Sequence, residues 1–278
     1  MTYETWGAGA LDYFACRYGE SRNRFRGPKR KLEGEYLAFL GGTDTYGRFI
    51  PRPYPALVED RLGIPCVNFG WANAGIDAFM HDLTVLEAAR AAKAVVLQVP
   101  GAQNMSNRYY AVHPRRNDRF LQASGLMRKV FPNTDFTEFH FTRHLLNKLR
   151  RTDVDRFAIL VAELQFAWVA RMGEFLSLID VPVILLWFSD HAPESDVKAT
   201  AMEHDPLFVT DEMLASVEPR PLAILDATAS ANAIAAGTLG MVFSEVEAPA
   251  AGEALGPAAH EEAAEKLAPV LADLIHLL

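Results

Sequence analysis

The chain has 278 residues, half of them hydrophobic and 22% charged, which is the composition of a packed domain and excludes intrinsic disorder. A formal net charge of -8 gives the molecule no general attraction to nucleic acid or to an anionic membrane. Two cysteines, Cys16 and Cys66, supply neither a disulfide framework nor metal-type spacing, and they fit a reducing compartment.

Residues 1–34 place aromatics among glycines and charges and read as an irregular leader packed against one domain that spans 1–278. Met1-Thr2-Tyr3-Glu4 opens no basic-then-apolar signal, and no apolar run approaches the ~20 residues needed to cross a bilayer, so a cytoplasmic protein is expected. Arg22, Arg24, Arg26, Lys29, Arg30 and Lys31 form a basic run that fits either a solvated arm or an anion-binding segment.

Residues 35–40 form a short apolar run stopped by Gly41-Gly42, the pattern of a buried strand. Tyr54, Leu57, Val58 and Leu62 follow at helical spacing, and residues 66–69 read as a second strand. Ile76, Phe79, Met80, Leu83 and Leu86 are expected on one helical face, and Ala94 to Val99 as a third strand. Residues 102–152 are polar, aromatic and rich in Arg and His, and are expected to form a largely helical insertion over the sheet edge. A long helix then buries Phe157, Leu160, Val161, Leu164, Trp168, Met172, Phe175 and Leu176. Residues 181–188 and 222–225 are the fourth and fifth strands, separated by a loop region with one short helix. The last helix, 258–278, carries Ala263, Leu267, Val270, Leu271 and Leu274 on one side and a proline, Pro269, that should kink it. Strands alternating with helices imply right-handed crossovers and a parallel sheet.

Ligands of such sheets bind beyond the carboxyl ends of the strands. Four segments there carry polar groups. Gly41-Gly42-Thr43-Asp44-Thr45-Tyr46-Gly47 puts a hydroxyl at a strand-to-helix turn, where it serves either an anion or a helix cap. Asn68-Phe69-Gly70 leads to Asn73 and Gly75, glycines that allow close backbone approach. Gly101 and Asn104 follow the third strand, and the amide of Asn104 is a candidate oxyanion donor. His260 precedes or opens the last helix, off its buried face, in a place suited to a base.

The order of these four segments resembles the SGNH (GDSL-like) hydrolase superfamily, across roughly residues 35–100 and 181–278. The likeness is to a divergent, uncharacterised branch in which Gly-Gly-Thr-x-Thr-Tyr-Gly replaces the Gly-Asp-Ser block. The resemblance implies a three-layer α/β sandwich of the flavodoxin-like kind, with a five-stranded parallel sheet in the order 2-1-3-4-5. It also implies an ester hydrolase or acyltransferase in which Thr43 stands for the nucleophilic serine and His260 for the base. Backbone N–H groups near Thr43 and Gly70, with Asn104, stand for the oxyanion hole, and Gly42, Asp44 and Asn73 are oxyanion or ligand-binding candidates beside it. The family's orienting aspartate, three residues before the histidine, is Pro257 here; Asp226 or Asp190 would have to replace it, and losing that acid from a triad costs about 10⁴-fold.

Three further groups bear on function. Ser189-Asp190-His191 follows the fourth strand, and Asp190 and His191 are candidate ligand contacts, although consecutive side chains diverge too far for a relay. His140 and His144, four apart with Glu138 nearby, weakly suggest zinc; no metal and no cofactor is expected. Arg115, Arg116 and Arg119 lie in a segment mixing cations with aromatics, and guanidinium forks suit carboxylate or phosphate. The expected partner is a small anionic substrate or cofactor, with neither nucleic acid nor membrane, and a homo-oligomer is compatible. The alternative to hydrolysis is a binder or transferase for an anionic cofactor such as coenzyme A or a sugar nucleotide.

Overall fold

A computed structural model describes residues 11–193, 202, 204–217 and 223–277. In chain order its elements are β1 (Leu37–Gly41), α1 (Thr43–Tyr46), α2 (Tyr54–Leu62), β2 (Cys66–Gly70), α3 (Asp77–Met80), α4 (Leu83–Ala91) and β3 (Ala94–Gln98). The middle of the chain adds β4 (Tyr110–His113), β5 (Arg116–Ala123), α5 (Gly125–Val130), α6 (Thr142–Thr152), α7 (Val154–Ser177) and β6 (Val183–Trp187). The last elements are α8 (Asp211–Val217), β7 (Ala223–Asp226), α9 (Ala231–Ala236), α10 (Ala248–Gly252) and α11 (Pro257–Leu277).

The apolar runs become strands buried on both faces: every residue of β1, β2, β3 and β6 is buried. That is the signature of a parallel sheet covered by helices. The sheet has the order β2-β1-β3-β6-β7 and all four pairings are parallel, so the expected 2-1-3-4-5 order is present. Alternate residues of one strand face different cores. Ala38 and Leu40 join a cluster with α3, α4, α6 and α7, while Leu37 and Phe39 join one with α2, α9 and α11. The result is a three-layer α/β sandwich. The side chains expected on the buried face of α7 are all buried there, and its first turn is capped by Asp153, whose carboxylate accepts the Arg156 N–H at 3.0 Å. α11 runs on through Pro269 to Leu277.

Two expectations need correction. Residues 102–152 are not largely helical: β4 and β5 form an antiparallel hairpin, followed by α5 and α6. Bulges at Ala111/Val112 and Val112/His113 break the period-two alternation that would mark the strands. The face from Ile76 to Leu86 is not one helix either. Asp82 ends it and starts α4 by accepting the Val85 N–H, which turns Leu83 outward, 73% exposed, and puts Val85, Leu86, Ala88 and Ala89 in the core.

The described part of the leader, residues 11–34, packs against the sheet domain. Tyr18 and Phe25 are buried, and a bridge joins Cys16 to Phe25. Its buried cation, Arg26, donates to the carbonyls of Gly47, Ile50 and Pro51 at 2.5, 2.7 and 2.8 Å, and Arg30 pairs with Glu59. These two arginines hold the turn after α1 and the side of α2; they are not free for an anion. Among the described residues no helix is long and apolar enough to cross a membrane.

Candidate functional site

The carboxyl ends of β1 and β3 meet at Gln98. Its side-chain oxygen accepts the Gly42 N–H at 3.1 Å, the Thr45 N–H at 3.2 Å and the Thr45 hydroxyl at 2.6 Å. The Thr45 hydroxyl proton is thereby used, so the Tyr54 hydroxyl 2.7 Å away is the donor of that second bond. Gln98 Nε2 donates to Asp44 at 3.0 Å. Burial, reinforced by Asp205, raises the Asp44 carboxyl to about 6 against the lowering effect of Gln98.

Thr43 stands at the rim. Its hydroxyl donates to Asn73 Oδ1 at 3.2 Å and accepts the Asn73 N–H at 3.0 Å. Asn73 adopts a left-handed backbone, φ 56°, which asparagine tolerates better than most residues and which aims both groups at Thr43. The Asn104 amide donates to the Asn73 carbonyl at 3.2 Å, and its own oxygen accepts the Thr142 hydroxyl at 2.8 Å. Asn73 also reaches Asp118 of β5 at 3.3 Å, while the Trp71 indole donates to the Arg115 carbonyl at 2.9 Å. The hairpin is thus tied to the loop after β2, and Thr43, Asn73 and Asn104 are brought together as the sequence suggests.

The expected oxyanion donors are already engaged. The Gly42 N–H is held by Gln98, the Gly70 N–H by Asn68 Oδ1 at 2.8 Å, and the Asn104 amide by Asn73. Gly70 is needed for packing: a Cβ there would lie 2.2 Å from the Tyr46 nitrogen.

His260 departs from its expected place. It lies on the buried face of α11, fully enclosed, stacked on Tyr54 at 5.8 Å and edge-on to Phe188 at 5.0 Å. Its Nδ1 accepts the Tyr54 N–H at 3.1 Å and its Nε2 has no partner. Burial pushes its pKa down to about 3, with a smaller contribution from Arg26. No hydrogen bond joins it to Thr43, and none joins it to Asp226. That carboxylate closes its own turn by accepting the Thr228 N–H at 2.8 Å and hydroxyl at 2.5 Å.

Asp190 and His191 do meet, at the end of β6. His191 Nδ1 lies 2.9 Å from Asp190 Oδ1 and 2.7 Å from the Ser189 hydroxyl. A relay needs the serine and the acid on opposite ring nitrogens, and here both face Nδ1, so this is no relay. The sequence did not link His204 to this group; its Nδ1 lies 3.1 Å from Asp190 Oδ2. Burial raises the Asp190 pKa, but the hydrogen bonds and charges of the two imidazoles outweigh it and hold the carboxyl below its ordinary range. In the sheet β6 is two strands from β1, so this group stands about 10 Å across from Thr43.

The other predicted residues are dispersed. His140 precedes α6 while His144 lies on it, and both are exposed, so they do not share a helical face. Arg119 stacks on Phe141, its guanidinium carbon 4.5 Å from the ring centroid. Arg115 and Arg116 are exposed at the hairpin turn, and among the described residues neither guanidinium has a partner. A separate cavity of about 250 Å³ between Asp77, His81, Ser106, Arg171 and Glu174 holds charges that pair with one another, Arg171 with Asp77 and with Glu174, and Asp77 also accepts the Ser106 N–H at 2.9 Å.

Fold and rim together define an α/β protein with a doubly wound parallel sheet and polar loops gathered at the carboxyl ends of its strands. The chain belongs to the family described as a domain of unknown function, DUF6473, whose model matches residues 1–275. No curated protein matches it. Among solved structures it is similar to a carbohydrate esterase family 2 enzyme with a carbohydrate binding domain from Corynascus thermopiles (Myceliophthora fergusii). The identity is 13%, over 90% of this chain and 69% of that one, with a TM-score of 0.45. It is also similar to the lipase Lip_vut3 from a goat rumen metagenome, with 12% identity, 84% and 96% coverage and a TM-score of 0.42. The acetylxylan esterase Axe2 from Geobacillus stearothermophilus shows 17% identity, 87% and 94% coverage and a TM-score of 0.40. Likenesses this low carry no inference about activity.

Proposed function

We propose that this protein keeps an SGNH-like frame as a non-hydrolytic binder or transferase for a small anionic cofactor, of the coenzyme A or sugar-nucleotide kind. The rim of Thr43, Asn73 and Asn104 contacts the ligand, and Arg115 and Arg116 hold its anionic part. The enclosure of His260 carries this reading. An imidazole with no exposed surface, held neutral by its surroundings and hydrogen-bonded to a backbone N–H, does not take a proton from Thr43. The unpaired guanidinium groups beside the rim supply the anion contact.

A second reading, acyl-ester hydrolysis or transfer through Thr43, is favoured by the Asp44 carboxyl. Burial raises that carboxyl to about 6, a range suited to proton transfer near neutral pH.

Thermal scans with coenzyme A and with a uridine diphosphate sugar, alongside turnover of a short-chain ester, separate the two. The first reading expects stabilisation by one of these ligands, lost in an Arg115→Ala/Arg116→Ala double variant, and no ester turnover. Ester turnover that disappears in Thr43→Ala overturns it and supports the second.

A further inference from the structure

The group at the end of β6 has a chemistry that neither reading of the Thr43 rim uses. We propose that Asp190, His191 and His204 form a binding site for a zinc-like divalent cation. The three ligand atoms lie within 4.8 Å of one another, and among the described residues no other set of three histidine, cysteine or acidic side chains gathers so closely. The carboxylate faces both imidazoles at once, with 2.9 Å from Oδ1 to His191 Nδ1 and 3.1 Å from Oδ2 to His204 Nδ1. The two rings stand 5.1 Å apart, tilted by 50°. Separations of about 3 Å between nitrogen and oxygen are near those of neighbouring ligands around a tetrahedral ion with bonds of about 2 Å. Two imidazoles and one carboxylate suit zinc, cobalt or nickel; magnesium and calcium prefer more oxygen ligands. Three protein ligands leave one position open to water or an anionic ligand group.

Both arms of the site are anchored, as a preorganised metal site requires. The His191 carbonyl accepts from the Trp187 indole at 2.7 Å. The segment carrying His204 is held by Arg143, which donates to the Met202 carbonyl at 3.2 Å and to Asp205 at 2.6 Å. The Ser189 hydroxyl donates to the Asp205 carbonyl at 2.6 Å and so joins the two arms. Ligand side chains that are partly or well exposed leave an ion a path from solvent.

The site does not depend on the ligand proposed for Thr43, and zinc alone tests it. Full-length protein stripped with a chelator and titrated with zinc chloride in a calorimeter should bind one equivalent. His204→Ala and Asp190→Asn should each weaken that binding at least about tenfold. His204 and Asp190 are exposed, so both variants should keep the wild-type unfolding midpoint without zinc, and cobalt added to the wild type should show tetrahedral visible absorption. A His140→Ala/His144→Ala variant controls for stray histidine binding. Absence of zinc binding by the wild type overturns the proposal. So does binding that survives both His204→Ala and Asp190→Asn, or binding lost only in the His140→Ala/His144→Ala variant.

Discussion

Two histidines at the carboxyl edge of the same sheet live in opposite surroundings. His260 is closed in by Tyr54, Phe188 and the face of α11, with one hydrogen bond in and none out. His191 is partly exposed and shares its Nδ1 with a serine and an aspartate, beside a second histidine. The chain order that resembles a hydrolase points to His260; the density of polar partners points to His191. Depth decides between them. In the apolar layer the protonated imidazole is too costly to keep, so His260 serves packing and one backbone N–H. At the β6 edge ring and carboxylate are partly open to solvent and lie within hydrogen-bond distance of each other.

The sharpest test of this contrast is at His260. His260→Ala removes a packed ring and leaves the buried Tyr54 N–H without an acceptor, so it should cost about 3 kcal/mol in urea unfolding. It should leave zinc binding unchanged once the variant is folded. The depressed pKa also makes a pH signature. The unfolded imidazole takes up a proton near its ordinary pKa of 6.5 and the folded one only near 3. Its contribution to stability is therefore full above pH 6.5 and lost as pH falls toward 3, by up to about 1.4 kcal/mol per unit. Comparing wild type with His260→Phe between pH 7 and 4 isolates this group. Curves that run parallel would show that His260 is not the buried neutral group described.

Much of this was legible in the sequence. Continuous apolar runs marked the buried strands, and the helical period of 157–176 marked α7, because burial on both faces or on one stripe leaves a direct imprint on residue order. His260 was legible too, through a signal that the motif order masked: residues 260, 263, 264, 267, 271 and 274 share one helical stripe, and all are buried. The hairpin was hidden because Arg116, Asn117, Asp118 and Arg119 look like a solvated loop. Its one buried polar side chain there, Asn117, works at a distance by accepting the Gly75 and Ala78 N–H groups at 2.9 and 3.0 Å. Asp190 and His204 are fourteen positions apart in the sequence, and no local spacing encodes their meeting.

Glycines at adjacent strand ends extend the contrast between closed and open surroundings. A Cβ on Gly70 would meet the Tyr46 nitrogen at 2.2 Å and the Thr45 carbonyl carbon at 2.6 Å. Those are backbone atoms of α1 and cannot swing aside. Gly70→Ala should cost about 2 kcal/mol, read from the urea midpoint, and should shift the Thr43 rim that α1 carries. A neutral result would mean that α1 is looser against β2 than this packing implies.

Smaller effects belong to the rim itself. Thr43→Val keeps the shape and removes the two bonds to Asn73, which should cost about 1 kcal/mol, since both groups are exposed enough for water to replace part of the loss. Gly42 should tolerate most: the nearest atoms to an added Cβ, the Ala74 carbonyl oxygen and Gln98 Oε1, are 3.9 Å away, an ordinary contact. Its φ of -83° is open to any residue, so Gly42→Ala should stay within about 0.5 kcal/mol of wild type. The added methyl would project into the space beside Thr43. A ligand seated on the rim should then bind more weakly to a protein of unchanged stability, while zinc affinity at the β6 edge stays the same. Equal ligand affinity in Gly42→Ala and wild type would move the ligand away from Thr43.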